Sequence, residues 1–235
     1  MRLLSKLFAQ SPAAARVAPF ILFVVLTSLQ GRFGEDSRYW VYFGKTLVGI
    51  WLIWEMRPYV TEMRWAFSWE AVVVGIGVFA LWVGISGSWT TQDTLWVKLG
   101  LSHAPAVPPV PWNPLAQFGQ DSALGWLFVV TRIMGSTLVV PPLEEAFYRS
   151  FLYRYIAHVN FLSVPLNRFL PFPFIATAVV FGLSHNEWMA GILCGAAYQW
   201  LVLRKNRLGD AMAAHAITNF LLGLWVVGRG AWNFW

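Results

Sequence analysis

Apolar runs approaching 20 residues recur from one end of this chain to the other, separated mostly by short loops in which the basic residues gather. Backbone N–H and C=O groups find no partner in hydrocarbon, so only helices and closed barrels cross a bilayer. About 20 apolar residues make one helical crossing, whereas barrel strands read as segments of about ten residues with alternating polarity. These runs do not alternate. The expectation is an all-α, polytopic helical membrane protein with about 7–8 transmembrane helices and a site enclosed in the bundle. Composition agrees: 57% of the 235 residues are hydrophobic and 12% are charged, against about 25% charged in a soluble domain. With no internal repeat and no separate soluble domain, residues 1–235 read as a single integral membrane domain, with residues 121–228 as the part that carries the ionisable groups considered below.

The net charge of +6 comes without any motif that reads DNA or RNA, which excludes nucleic acid as the partner. The basic residues orient the chain instead. Arg204, Lys205 and Arg207 form the densest basic loop and place it on the cytoplasmic side, with Arg2, Lys6 and Arg16 putting the N-terminus there too. The two assignments agree only if the helix carrying Glu144 does not fully cross or if one span is miscounted. The lone Cys194 permits no intrachain disulfide and, among Ala190, Gly191, Gly195, Ala196 and Ala197, reads as a packed small side chain. Trp40, Trp54, Trp89, Trp126, Trp188 and Trp225 stand near the ends of apolar runs, where indoles favour the headgroup level.

The spans follow from the apolar runs. Val17–Leu29 reads as a retained first helix, since no small-x-small cleavage site follows it. Tyr39–Trp54 is the second span, with Lys45 near enough to one end to snorkel. Phe67–Ser86 is the third, and Gly75, Gly77, Gly84 and Gly87 suit close helix approach. Ser88–Gln120 holds Pro105, Pro108, Pro109, Pro111 and Pro114. It reads as a loop with one interfacial helix near Asp93–Leu101 and no regular helix beyond it. Ala123–Val140 is the fourth span, ended by Pro141-Pro142. A new helix starts there and runs to about His158. Phe172–His185, Trp188–Leu203 and Leu208–Val227 complete the set.

Within these helices lie ionisable groups that are costly at membrane depth, at about 2.5–3.5 kcal/mol for a charged side chain at a helix centre. Glu144 and Glu145 open one helix. Phe181 and His185 share a face of a second, and His215 and Asn219 share a face of a third. Together they offer a carboxylate, two imidazoles and a carboxamide. A carboxylate near low dielectric can act as a base on water, and an imidazole can orient or deprotonate that water. A second imidazole and an amide can donate to the oxyanion of a tetrahedral intermediate. This chemistry suits amide hydrolysis. Each residue also has a plainer role. Glu144 and Glu145 suit a helix start, Arg149 suits an i,i+4 pair with Glu145, and His185 suits a packing site. His215 and Asn219 suit an interhelical contact. Glu187 sits at a helix start or pocket mouth, Asp210 suits a cap, and Arg132 seeks an acidic partner. His103 and His158 carry no functional claim.

The ordered trio Glu144-Glu145-x-x-x-Arg149, Phe181-x-x-x-His185 and His215-x-x-x-Asn219 resembles the motif pattern of the CAAX-protease and bacteriocin-processing family of intramembrane glutamic endopeptidases, which includes the Ras-converting prenyl endopeptidases. The match spans about Pro141 to Gly228. The resemblance implies that Glu144 activates water with His185 as partner, and that His215 and Asn219 form the oxyanion site. Glu145, Arg149 and Phe181 support them. It implies no metal and no cofactor, a membrane-associated protein or peptide as substrate with the lipid bilayer as surroundings, and a multi-pass cell-membrane location. The charge-poor layout also resembles a bacterial subgroup that accompanies C-terminal sorting of exported proteins. Two other readings stay open on the residues alone. One is a zinc hydrolase using Glu144, His185 and His215, although no His-Glu-x-x-His is present. The other is a non-catalytic membrane partner or transporter. The residues leave the oligomeric state open.

Overall fold

Short polar residues start several helices of this chain. In the computed structural model, residues 4–87, 90–103 and 110–235 are described. Arg2, Trp89, Pro105, Pro108 and Pro109 lie outside the described residues. After the short α1 (Ser5–Gln10), the Ser11 side chain accepts the Ala14 N–H and Pro12 fills the first turn of α2 (Pro12–Ser28). The α3 helix covers Ser37–Met56. Ser68 and Thr91 cap α4 (Trp69–Ile85) and α5 (Gln92–Lys98) in the same way. A cap of this kind is worth about 1 kcal/mol because it satisfies an N–H that the first helical turn leaves without a partner. The described residues contain helices and two isolated bridges, with no β-strand.

The proline-rich region departs from expectation. Besides α5, it holds α6 (Pro114–Phe118), started by Asn113, whose side chain accepts from Leu115 and Ala116. Proline at the first helical position needs no donor, so Pro114 favours a helix start.

A second departure is larger. Pro141-Pro142 does not end the fourth span: the helical run continues from Ala123 to Ala157. It comprises α7 (Ala123–Met134), a π-helical stretch Gly135–Val139, α8 (Val140–Glu145), a second π stretch Ala146–Leu152 and α9 (Tyr153–Ala157). A proline inside an α-helix removes one hydrogen bond and crowds the preceding turn. The wider π turn before Pro141 accommodates that crowding. The Val140 N–H bonds the Gly135 carbonyl, and the next two residues have no N–H to continue the series. The chain finishes with α10 (Pro171–Leu183), α11 (Trp188–Lys205) and α12 (Gly209–Arg229). Asn206, with φ of 50°, ends α11 in the left-handed conformation.

The runs Ala123–Ala157 and Gly209–Arg229 are long and apolar enough to cross a membrane, and Pro12–Ser28, Trp69–Ile85 and Pro171–Leu183 are shorter apolar helices. At 13 residues, α10 rises about 20 Å, short of a hydrocarbon core of about 30 Å. Two helices among the described residues thus reach across by length and composition, and the expected seven to eight spans are not established by helix length. The apolar stretch of Ala123–Ala157 is only 28% buried. Large apolar side chains such as Trp40, Leu47, Ile50 and Trp54 on α3 and Trp126, Val130 and Leu138 on the long run are exposed. Apolar exposure on this scale marks a surface meant for a non-aqueous partner.

The chain forms two compact units, and residues 121–228 contribute to both. The first comprises Met1–Arg64, Pro111–Phe147 and Asn219–Trp235. Its core gathers Tyr39, Tyr42, Trp112 and Phe128. Arg132, expected to seek an acid, instead lies over the rings of Trp112, Tyr42 and Trp235 at 4.5, 4.9 and 5.3 Å. Lys45 does not snorkel: it is 6% exposed, donates to the Thr27 hydroxyl at 2.8 Å and rests on the rings of Tyr42 and Phe23. Ring faces are negative and hold a cation away from water.

The second unit comprises Trp65–Val110 and Tyr148–Thr218. Here α10 and α11 pack through glycines. A Cβ on Gly182 would lie 2.6 Å from the Trp188 carbonyl oxygen, and one on Gly191 would lie 2.8 Å from the Gly182 Cα. Cys194 is buried in the same run. In the first turn of α12 the Asp210 carboxylate pairs with Arg207, while Lys205 donates to Glu70 at 3.0 Å. Of the expected close-approach glycines on α4, only Gly75 is packed, with a Cβ there 2.8 Å from the Ala214 oxygen; Gly77 and Gly84 face open space. Gly75→Ala should therefore cost about 1–3 kcal/mol, whereas Gly77→Ala should be neutral or stabilising, because alanine favours a helix by about 1 kcal/mol. Thermal unfolding of the two variants in detergent checks this.

Candidate active site

The second unit assembles three of the expected residues around the ring of a fourth. Phe181 on α10 is fully buried. The His185 ring lies 4.4 Å from it and the His215 ring 6.1 Å, measured between centroids. The Arg149 guanidinium carbon stands 4.3 Å from the same ring. Arg149 is also fully buried and donates to the Gly195 carbonyl at 3.2 Å. Burying a guanidinium costs several kcal/mol; the ring and the carbonyl offset part of that.

His215 is set by a second chain of contacts. Its ring stacks on Tyr198 at 5.1 Å. The Tyr198 hydroxyl donates to Thr218 at 2.8 Å, and the Thr218 hydroxyl reaches the carbonyls of Gly75 and Ala214 at 2.9 and 3.0 Å. Stacking and hydrogen bonding together fix the plane of the imidazole.

His185 follows the end of α10. A helix leaves its last four carbonyls without helical donors, and the Phe181 carbonyl is one of these. The His185 Nδ1 atom is 2.7 Å from it. Trp82 of α4 meets the ring edge-on at 5.7 Å. The loop after α10 is pinned by residues the sequence did not single out. The Gln92 N–H donates to the Asn186 carbonyl at 2.7 Å, the Gln92 side chain donates to the Leu183 carbonyl, and Thr91 forms a bridge with Glu187.

Glu187 is 6% exposed and its Oε2 atom has no hydrogen-bond partner among the described residues. Burial holds its pKa above the ordinary 4.5, against a smaller opposing effect from Asn186. A carboxyl with a raised folded-state pKa stabilises the fold while protonated. That contribution is whole below about pH 4.5 and is lost as pH rises through the folded-state value. Glu187→Gln should therefore melt at a higher temperature than the parent protein at pH 7, with the difference closing below pH 4.5.

The remaining expected residues belong to the first unit. Glu144 and Glu145 lie on α8, which packs against α2 and α3. Glu145 is fully buried and Glu144 partly so, and Glu144 interacts electrostatically with Lys45. Asn219 on α12 donates its amide to the Ser136 carbonyl at 2.8 Å. That carbonyl belongs to the π stretch, whose continuing donor would be Pro141, a residue with no N–H. The proline thus creates the acceptor that anchors Asn219. The amide keeps a second N–H for another acceptor.

These features define an all-helical protein with apolar, membrane-type helices and buried polar clusters of imidazole, guanidinium and carboxylate. Residues 126–221 match a family model described as Rce1-like: Type II CAAX prenyl endopeptidase Rce1-like. The matched residues make up somewhat less than half of the chain and contain Glu144, Glu145, Arg149, Phe181, His185, His215 and Asn219. The match supports the CAAX-protease family, and with it a protease of the membrane, as read from the three motifs. Comparison with curated proteins and with solved structures gave no match.

Proposed function

We propose that the chain is an intramembrane glutamic endopeptidase that hydrolyses a peptide bond near the C-terminus of a membrane-associated protein. The observation that carries this reading is the coincidence of the matched family segment with the three motifs. In the proposed reaction the Glu144 carboxylate takes a proton from water while His185 accepts the water's other hydrogen bond. The water oxygen attacks the scissile carbonyl carbon. His215 and Asn219 donate to the resulting oxyanion, each donor being worth about 2.7–4 kcal/mol in the transition state. The C–N bond then breaks and the proton held by Glu144 passes to the leaving amine. Arg149 and Phe181 hold the imidazoles' surroundings, and Glu145 supports α8. The proposed reaction uses no metal or cofactor. The proposed location is a cell membrane crossed by several helices, which the exposed apolar faces of α3 and of the Ala123–Ala157 run support.

The test is cleavage of a prenylated C-terminal peptide, reconstituted with purified protein in liposomes. Comparing membrane-protein C-termini by mass spectrometry in cells with and without the chain serves other substrates. The expected result is a new C-terminus that appears with the wild-type protein and not with His185→Ala. Equal cleavage by both proteins rejects the mechanism. Activity lost to a chelator and restored by zinc would favour the zinc reading instead.

A further inference from the structure

One hydrogen-bond chain in the second unit ends on His185 and contains two side chains, Tyr148 and Ser184, that the proposed reaction does not use. The Tyr148 hydroxyl is 2.9 Å from Ser184 Oγ, and Ser184 Oγ is 2.7 Å from the Phe181 carbonyl oxygen. Ser184 Oγ is also 3.2 Å from His185 Nδ1, which itself stands 2.7 Å from the same carbonyl. Proton counting fixes the direction of every link. A carbonyl only accepts, so both Nδ1 and the Ser184 hydroxyl donate to Phe181. Ser184 has one proton and gives it to that carbonyl; its oxygen is then an acceptor for Tyr148 and for Nδ1–H. The 2.7 Å approach of Nδ1 to a carbonyl oxygen, which can only accept, puts a proton on Nδ1 of His185.

We infer that Ser184 and Tyr148 are positioning residues that hold His185 as the Nδ1–H tautomer, leaving Nε2 as the nitrogen that faces the reacting water. The second nitrogen of a histidine is set by the bond the first one makes. The location reinforces this. His185 lies just past the C-terminus of α10, where the exposed carbonyls favour positive charge, so the partial positive charge that develops on the ring as Nε2 accepts the water's hydrogen bond sits against the negative end of that helix. Tyr148 is 2% exposed and packs edge-on against Phe181 at 5.0 Å, which keeps its hydroxyl in place. Ser184 is exposed, so its replacement does not disturb the packing. The role in catalysis rests on the proposed function; the tautomer does not.

The experiment is nitrogen NMR of purified protein labelled with ¹⁵N at histidine, with the His185 signals identified by their loss in His185→Gln. The expected wild-type spectrum shows a protonated Nδ1 and a lone-pair Nε2. Ser184→Ala and, to a smaller extent, Tyr148→Phe should add a population protonated at Nε2, while Ser184→Thr keeps the wild-type pattern. Ser184→Ala should also lower kcat for the liposome substrate roughly tenfold with KM unchanged, as expected for one lost hydrogen bond. A wild-type proton on Nε2, or a wild-type spectrum in Ser184→Ala, overturns the inference. A wild-type spectrum in Tyr148→Phe overturns the part given to Tyr148. If no peptide is cleaved but the tautomer is as stated, the proposed function falls and the positioning stands. If peptide is cleaved but the other tautomer is found, the positioning falls and the proposed function stands.

Discussion

Glu144→Gln should lower peptide cleavage by a factor of about 10²–10⁴, the usual contribution of a general base. Glutamine keeps the size and the hydrogen-bonding outline of the side chain and removes only its capacity to take a proton. The loss should appear in kcat, because the base acts in the transition state and contributes little to holding the peptide. Glu145→Gln gives the contrast. Glu145 is fully buried on the same helix, so its replacement should act through stability, with folded variant retaining most of its kcat. Combining Glu144→Gln with His185→Ala should cost little more than Glu144→Gln alone, since two groups that act on one water are not additive. Steady-state kinetics on the liposome substrate separate these cases.

Gly182→Val should unfold or severely destabilise the protein, by about 3 kcal/mol or more, at the upper end of overpacking costs. Besides the Ile192 side chain, the neighbours of the added Cβ are backbone atoms, the Trp188 oxygen at 2.6 Å and the Ile192 nitrogen at 2.7 Å. Backbone cannot rotate away as a side chain can, so α10 and α11 must separate. Their separation would also release the loop that carries His185. Against a total stability of about 5–15 kcal/mol, this loss is large. Gly44→Ala is the control, since nothing lies within 4 Å of a Cβ there. Melting temperature and yield of monodisperse protein in detergent measure both.

Much of this arrangement is legible in the chain before any coordinates. Apolar runs give most of the long helices to within a few residues, because burial and hydrocarbon exposure both reward the same side chains, but Ala123–Ala157 reads as two helices. The motif spacing also pairs Phe181 with His185, whose rings lie 4.4 Å apart, although His185 stands beyond the end of α10 and not on the helix face that the spacing suggests. The failures are physical. Pro141-Pro142 reads as a stop because proline disrupts an α-helix, and nothing in the sequence announces a π turn that absorbs it. The consequence, an orphaned Ser136 carbonyl held by Asn219, is invisible for the same reason. Lys45 and Arg132 read as charges seeking water or acid, yet both settle on aromatic rings brought from distant segments. Ser184 stands beside His185 in the sequence, but its part depends on Tyr148, which lies 36 residues away.

If Glu144 turns water into the nucleophile that splits a peptide bond, the new carboxylate must take its oxygen from solvent. Chelator-treated protein should be given a prenylated C-terminal peptide in water enriched in ¹⁸O, and the released fragments weighed. The expected result is one ¹⁸O atom in the new carboxylate for the wild-type protein and no fragment above background for Glu144→Gln. Equal release by Glu144→Gln, or release only after zinc is restored, would refute the role given to this carboxylate.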